Sequence, residues 1–530
     1  MNYFDFHAHI ILKQLFEETP DIDHEISPDD VAFVPKLCTD LPNVIETQIL
    51  HKQLQSLNGT VIIGAVLYGL ESYLAQEVSK LTNLLKSASR YKLSDNLLNA
   101  VQDTHYPTFD QFTLQRTLDK YLAATQYFNV LGKNSTFDSL APDKIQLFFV
   151  VEGCHSLVNT KNRVLPGDNG YSATEIISNL DLILKQAAVV SVNLTHLQQS
   201  NIANHAFGMQ IADPLLFYPT GNGLSAEGIK VVQGLFDRGI CVDLKHMSYK
   251  ARLDLRNAID KEQFNHAQPL LCTHAGFTGT SFEKWPGFIR IKKPINTDVL
   301  YLEVTKTIQS SNNATRPDAP AFNMTTINLF DEEIEWIVKH EGMIGLSMDR
   351  RILGYVGKFD DHPTGLDQNA PYLVDKEYFS KAEWGVLGIS DPSIGKDVNE
   401  DDCVQLDDLD QTAEDAIPIR NNYFYAHILL HIKHYLQVCQ NAGIPLATAT
   451  KHITIGSDFD GVINPFINCQ TCLDMPGLKH YIINRLPVFL SQYKDAAQWY
   501  KDLGIISFAE DIFYNNGYRF ISAYFQKANN

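Results

Sequence analysis

Apolar residues in this chain gather in short unbroken runs more often than in strict alternation. Eight runs stand out: the stretch around Asp5-Phe-His-Ala-His9, then 60–67 (TVIIGAVL), 144–151 (KIQLFFVV), 188–194 (AVVSVNL), 240–244 (ICVDL), 269–273 (PLLCT), 343–348 (MIGLSM) and 453–457 (ITIGS). Continuous runs rich in Val and Ile suit parallel strands buried on both faces. The segments between them carry helical spacing. The clearest spans 225–238, where Ile229, Val232, Leu235 and Phe236 share a face and Gly239 stands at the expected stop. Strands alternating with helices predict an α/β fold, a (β/α)8 TIM barrel of the metal-dependent hydrolase type, with large loop and helical insertions.

In such barrels the C-terminal ends of the strands form the functional rim. Six of the eight runs end in a residue suited to metal chemistry: His7 and His9 on the first, then Glu152, His196, His246, His274 and Asp458. On a strand, residues two apart share a face, so His7 and His9 can offer two imidazoles to one cation. The runs at 60–67 and 343–348 have no obvious ligand at their ends.

A minimal barrel takes roughly 250 residues. A chain of 530 therefore forms a single barrel domain over 1–530 with insertions at about 10–58, 70–143, 277–340 and 354–425. The stretch 310–326 is polar and broken by proline, predicting a loop over the rim, and 354–415 predicts a solvated loop that turns acidic towards Asp397 and Asp410.

Composition narrows the class further. At 45% hydrophobic and 20% charged the chain is globular, and a net charge of −19 without a basic tract argues against a nucleic-acid partner. A first strand close to Met1 leaves no room for a signal peptide, and no run reaches the ~20 apolar residues of a membrane span. A cytoplasmic location without membrane attachment is the resulting expectation, with a homo-oligomer left open. Cys469-x-x-Cys472 has no second pair to complete a zinc site, so a loop with two free thiols is expected. His427, His431 and His434 share a helix face, and packing explains them better than ligation. His155, His205, His340 and His452 are likewise expected to be structural or surface histidines.

Several of these segments, taken in order, resemble the membrane (renal) dipeptidase family, a branch of the amidohydrolase superfamily. Glu152-Gly-Cys-His-Ser is similar to that family's Glu-Gly-x-His-Ser, and Thr195-His196 with Asn201-Ile-Ala203 to its Thr-His segment. Gly223-Leu-Ser225 resembles its Gly-Leu-Thr, and Asp243-Leu-Lys-His246-Met-Ser248 its Asp-Leu-x-His-x-Ser. The run 269–274 is similar to its next strand, Gly456-Ser-Asp458-Phe-Asp-Gly461 to its Gly-Ser-Asp-Phe-Asp-Gly, and Asn516-Gly-Tyr-Arg519 to its closing helix. The match covers the barrel strands but not the long insertions.

The resemblance implies two zinc ions, other divalent metals being open, held by His7, His9, Glu152, His246 and His274, with Glu152 bridging. It implies that His196 contacts the substrate carbonyl or oxyanion, that Asp458 transfers the proton, and that a small-molecule dipeptide or related amide is hydrolysed. Two cations sharing Glu152 and a water would bring that water's pKa near neutrality. Asp460 would orient a ligand from outside the site. One departure is marked: the family has His-x-Asp on the first strand where this chain has His7-x-His9, leaving the site one unit less negative. The arginine that meets a substrate carboxylate has its best counterpart in Arg290, with Arg350 and Arg351 as rivals. Two alternatives follow: an amidohydrolase acting on another small amide, ester or lactone such as an N-acyl amino acid, and a non-catalytic, metal-stabilised scaffold.

Overall fold

The computed structural model describes residues 1–15, 21–27, 46–69, 109–132, 135, 143–158, 170–208, 218–305, 321–354, 374–388, 416–466, 468–491 and 500–528. Each of the eight apolar runs forms a strand: β1 Tyr3–Ala8, β2 Val61–Tyr68, β3 Ile145–Glu152, β4 Val189–Asn193, β5 Cys241–Asp243, β6 Leu270–Ala275, β7 Met343–Leu346 and β8 Ile453–Ile455. Each pairs in parallel with its successor along the chain. From β8 back to β1 the ring closes through the residues just past β8. Asp458 N–H donates to His7 O at 2.9 Å, and His9 N–H to Phe459 O at 2.8 Å. The Asp5 carboxylate joins the same seam by accepting Ser457 N–H at 2.9 Å. The fold is a (β/α)8 barrel.

Two apolar layers hold it. Inside the ring, Phe4, Phe6, Ile62, Phe148, Val190, Cys241, Leu271 and Met343 form one buried cluster with Ile521 and Phe525 of the C-terminal helix Asn516–Ala528. That helix seals the N-terminal end of the barrel. Gly517 makes the approach possible, because a Cβ there would lie 2.1 Å from the Phe4 ring. Outside the ring, strand residues such as Ile63, Leu147 and Val242 pack against the crossover helices through Leu118, Ile176, Val231 and Leu255. The expected helix after β4 runs Ala226–Phe236, capped by Ser225 Oγ accepting Gly228 N–H at 2.9 Å, and Gly239 follows at φ 73°. The next, Tyr249–Asp260, is capped by Ser248. Buried Arg252 on it chelates Glu333 of the helix Asp331–Lys339, at 2.8 and 2.9 Å, tying the two crossovers together.

Three features differ from expectation. A short strand, Phe128–Val130, pairs in parallel with Ile145–Leu147 on the side where β4 has not yet begun. A second sheet, antiparallel, has Val299–Thr305 at its centre with Ile289–Pro294 and Val374–Ser380 on either side. Thus 374–380 is a strand, while 397–410, read as a solvated acidic loop, lies outside the described residues. The predicted loop over the rim also differs: 310–320 lies outside the described residues, and Ala321–Thr326 is buried.

Acidic side chains latch this sheet to the barrel loops. Asp375 accepts Met324 N–H at 3.0 Å, Glu377 accepts Thr326 N–H at 3.1 Å, and Glu383 accepts both Gly223 N–H and the Ser248 hydroxyl at 2.7 Å. Burial pushes the Glu377 carboxyl up to about 8, against the pull of Thr326.

Candidate metal centre

The C-terminal ends of the strands converge on one carboxylate. Glu152, the last residue of β3, is buried, and five imidazole Nε2 atoms surround it: His246 at 3.2 Å, His9 at 3.3 Å, His7 at 3.5 Å, His274 at 3.6 Å and His196 at 3.7 Å. Asp458 Oδ1 lies 3.5 Å from His9 Nε2 and 3.9 Å from His7 Nε2. In three overlapping groups, His7/Glu152/His274, His7/His9/Asp458 and Glu152/His196/His246, the donor atoms lie within 4.8 Å of one another. The structure thus brings together all seven rim residues named from the sequence.

Local backbone explains the convergence. The β1–β2 register shifts between Asp5 and Ala8, re-aiming the chain where His7 sits. Asp5 Oδ1 accepts His7 N–H at 3.2 Å besides Ser457 N–H, so one carboxylate holds both sides of the seam. His246 and Asp458 adopt left-handed backbone conformations, φ 67° and 61°, which non-glycine residues seldom hold. Such strain persists where surrounding structure fixes it, as functional sites do. Gly461 lets the turn after β8 fold tightly, since a Cβ there would fall 2.1 Å from Asp458 Oδ1 and 2.8 Å from His9 Cδ2.

Apart from the His246 Nε2–His274 Nε2 contact at 3.1 Å, the spacing around Glu152 suits cations better than direct hydrogen bonds. Four ligands set tetrahedrally about 2.1 Å from an ion lie about 3.4 Å apart, close to the separations here. His7 Nε2 and His9 Nε2 are buried without a hydrogen-bond partner, which an imidazole seldom tolerates unless something else fills the gap.

Electrostatics point the same way. Burial alone would raise the Glu152 carboxyl, but His196, His7 and His246 hold it well below the usual range. Burial and the neighbouring His196 press His246 down to about 3, and burial and His7 press His274 well below its ordinary value. His9 stands at about 9, because Asp458 and Glu152 outweigh its burial. Burial raises Asp458 against the pull of His9 and His7, with Glu152 adding to the rise. Neutral rings at His246 and His274 beside an ionised Glu152 are donors that a divalent cation takes. The residues present therefore fit a metal centre.

Other expectations fall elsewhere. Arg290 lies on the antiparallel strand Ile289–Pro294, and its side chain is outside the described residues. Arg351 is committed to Asp349 at 2.6 Å, and Arg350 is buried. Asp460, expected to orient a ligand, instead pairs with Lys13 Nζ at 2.7 Å and accepts Gln48 N–H at 2.8 Å. It fastens the segment leading to β2, not an imidazole. His155 bonds Gly69 O at 2.6 Å, His452 donates to Gly342 O at 2.7 Å and His340 stacks on Trp336, all structural contacts. Cys469 and Cys472 are free and buried.

Tyr68 escaped the sequence reading. It ends β2, and its ring lies 5.3 Å from His196 and 5.9 Å from both His9 and His155, measured between centroids. Its place at a strand end was the available signal, but a tyrosine is not an ordinary zinc ligand.

Fold and site together define a (β/α)8 barrel with a histidine and carboxylate metal centre on its catalytic rim. No protein-family model and no curated protein matches the chain. Among solved structures it is similar to dipeptidase AC, a metallopeptidase of family M19, at 11% identity and TM-score 0.46 over 100% of this chain and 98% of that one. It is similar also to a metallopeptidase from Rhodobacter sphaeroides liganded with a phosphinate mimic of the dipeptide L-Ala-D-Ala (12% identity, TM-score 0.45, 97% and 99% covered). A third is the probable dipeptidase PvdM from Pseudomonas aeruginosa (11% identity, TM-score 0.45, 100% and 96% covered). At 11–12% identity these likenesses assign no residue, and the site stands on its own geometry.

Proposed function

We propose that the chain is a metal-dependent hydrolase, a dipeptidase loaded with two zinc ions. The observation that carries this reading is the ring of imidazole Nε2 atoms 3.2–3.7 Å from Glu152, two of them buried without a hydrogen-bond partner. His7, His9, Glu152, His246 and His274 would hold the ions, with Glu152 shared. When bound, the ions supply a polarised scissile carbonyl and a water acidic enough to attack at neutral pH.

The rest falls to side chains. Asp458 stands beside His7 and His9 and is the most exposed carboxylate of the set at 9%. It accepts the proton of the attacking water on its carboxylate and returns it to the leaving amine. Burial, which raises its pKa, suits a group that must both take and give that proton. The His196 side chain, 14% exposed against 5% or less for the other four imidazoles, faces the incoming carbonyl oxygen and stabilises it by an N–H. Tyr68 packs edge-on against that ring and limits how it can turn.

Hydrolysis of another small amide, such as an N-acyl amino acid, is the second reading. It is favoured by His9 itself, an imidazole where a second carboxylate would make the site more negative. The two are separated by amine release from L,L- and L,D-dipeptides and matched N-acyl amino acids, with Asp458→Asn as the blank. Dipeptide turnover that disappears in the blank supports the first; turnover of acyl amino acids alone replaces it with the second. Silence on both substrate classes by fully zinc-loaded protein rejects both.

A further inference from the structure

We propose that Thr273 and Asp243 form a proton clamp that presets two of the metal-facing imidazoles, His7 and His274, in the tautomer that leaves Nε2 free. The proposal rests on the metal-site reading and concerns residues that touch no substrate; both are positioning residues.

Thr273 precedes His274 on β6. Its hydroxyl lies between three groups: Asp243 Oδ2, His7 Nδ1 at 3.0 Å and His274 Nδ1 at 3.1 Å. All four side chains are buried, so no water competes. A hydroxyl has one proton to give and two lone pairs to receive. Asp243 decides where the proton goes. Its Oδ1 already accepts Lys245 N–H at 3.0 Å and Thr273 N–H at 3.2 Å, contacts that favour the ionised carboxylate against the burial that raises it, and its Oδ2 takes the hydroxyl proton. Both lone pairs of Thr273 then face imidazoles, and each ring must present an N–H at Nδ1.

The consequence appears on the far side of each ring. With Nδ1 protonated, the lone pair lies on Nε2, the atom that faces Glu152 at 3.5 Å in His7 and 3.6 Å in His274. A metal-bound histidine needs that arrangement, and partners that fix it raise metal affinity. His9 Nδ1 and His246 Nδ1 are buried without such a partner, so the clamp acts on two rings and leaves two unset. One residue from β5, two from β6 and one from β1 thereby share a single proton direction.

Two measurements test this: zinc affinity by competition with a chromophoric chelator, and the ring tautomers of histidine-labelled, metal-free protein from nitrogen chemical shifts. Metal-free wild type should show Nδ1–H at both His7 and His274. Thr273→Val keeps the shape without the hydroxyl and should weaken zinc binding by about 10–100-fold, while Thr273→Ser restores it. Asp243→Asn is the sharper variant. The two main-chain N–H groups hold the amide oxygen at the Oδ1 position, so the amide N–H faces Thr273 and reverses the hydroxyl towards one ring. That ring should move its proton to Nε2 and weaken zinc at one position only.

Wild-type zinc affinity in a folded Thr273→Val protein would overturn the clamp, as would Nε2–H on either ring in metal-free wild type. If Thr273→Val does not fold, Asp243→Asn decides by the same readings, with two full-affinity sites the overturning result. A wild type that binds no zinc would instead defeat the metal-site reading, and the tautomers would still report on the clamp.

Discussion

Two groups of histidines in this molecule look alike in sequence and behave oppositely in the fold. On the rim, His7, His9, His196, His246 and His274 come from different strand ends and aim Nε2 at one carboxylate. On the helix Ala416–Asn441, His427, His431 and His434 share one face, and each ring bonds a neighbouring segment. His427 Nε2 accepts Ala321 N–H at 3.3 Å; His431 accepts Phe277 N–H at 3.1 Å and donates to Leu353 O at 2.9 Å; His434 pairs with Asp331 at 2.8 Å. Spacing along the chain does not separate ligand from staple. What separates them is whether ring nitrogens are consumed one by one, by main-chain groups or a private carboxylate, or left facing a shared charge.

The comparison can be broken most forcefully at Glu152. Glu152→Gln keeps the shape and removes the charge the rim histidines share, so zinc content after dialysis should fall to background and all turnover with it. Retention of both ions would show that the imidazoles alone define the site. Asp458→Asn comes next: metal stays, and kcat drops by about 10²–10⁴-fold, the usual contribution of a general base. Metal loss in that variant would make Asp458 a ligand.

On the helix the expected effect is one of stability alone. His431→Ala strands a buried N–H and a buried carbonyl, each costing about 1–3 kcal/mol, and should lower the urea midpoint without changing zinc content. A fall in zinc content would join the two groups into one network. A stability effect of another kind, read as a slope with pH, should come from the latch of the antiparallel sheet. Glu377 holds its proton in the fold up to about 8 but releases it near 4.5 when unfolded, so the folded state binds more protons between those values. Its contribution to stability should therefore decline as pH rises from 4.5 to 8 and level off above. Glu377→Gln should flatten that slope relative to wild type, as a urea series across pH would read.

Much of the barrel was legible because strands buried on both faces need unbroken apolar runs, and each of the eight did become a strand. The rim residues were legible for a related reason: a His, Glu or Asp closing such a run has little apolar excuse for being there. Thr273 carried no such mark, and Asp243, though it closes β5 and stands in a matched segment, was given no role of its own. Their meaning lies in a three-way meeting of β1, β5 and β6. The antiparallel sheet was hidden too, since Val374–Ser380 pairs with Val299–Thr305 across a long stretch of chain that carries no turn signal linking them. Asp460 misled because a carboxylate two residues past Asp458 was read as orienting a ligand, whereas it pairs with Lys13.

The seam closed by Asp5 has a bearing on how the protein is made. Asp5 and Ser457 stand 452 residues apart, so β1 leaves the ribosome long before its second neighbour exists. For most of synthesis the barrel is an open sheet with an unpaired edge, the kind of surface that recruits other strands. The first strand delivers His7 and His9, and the last delivers Asp458, so ring closure brings that carboxylate to the two imidazoles. A nascent chain stalled short of β8 would expose a sticky edge and lack Asp458.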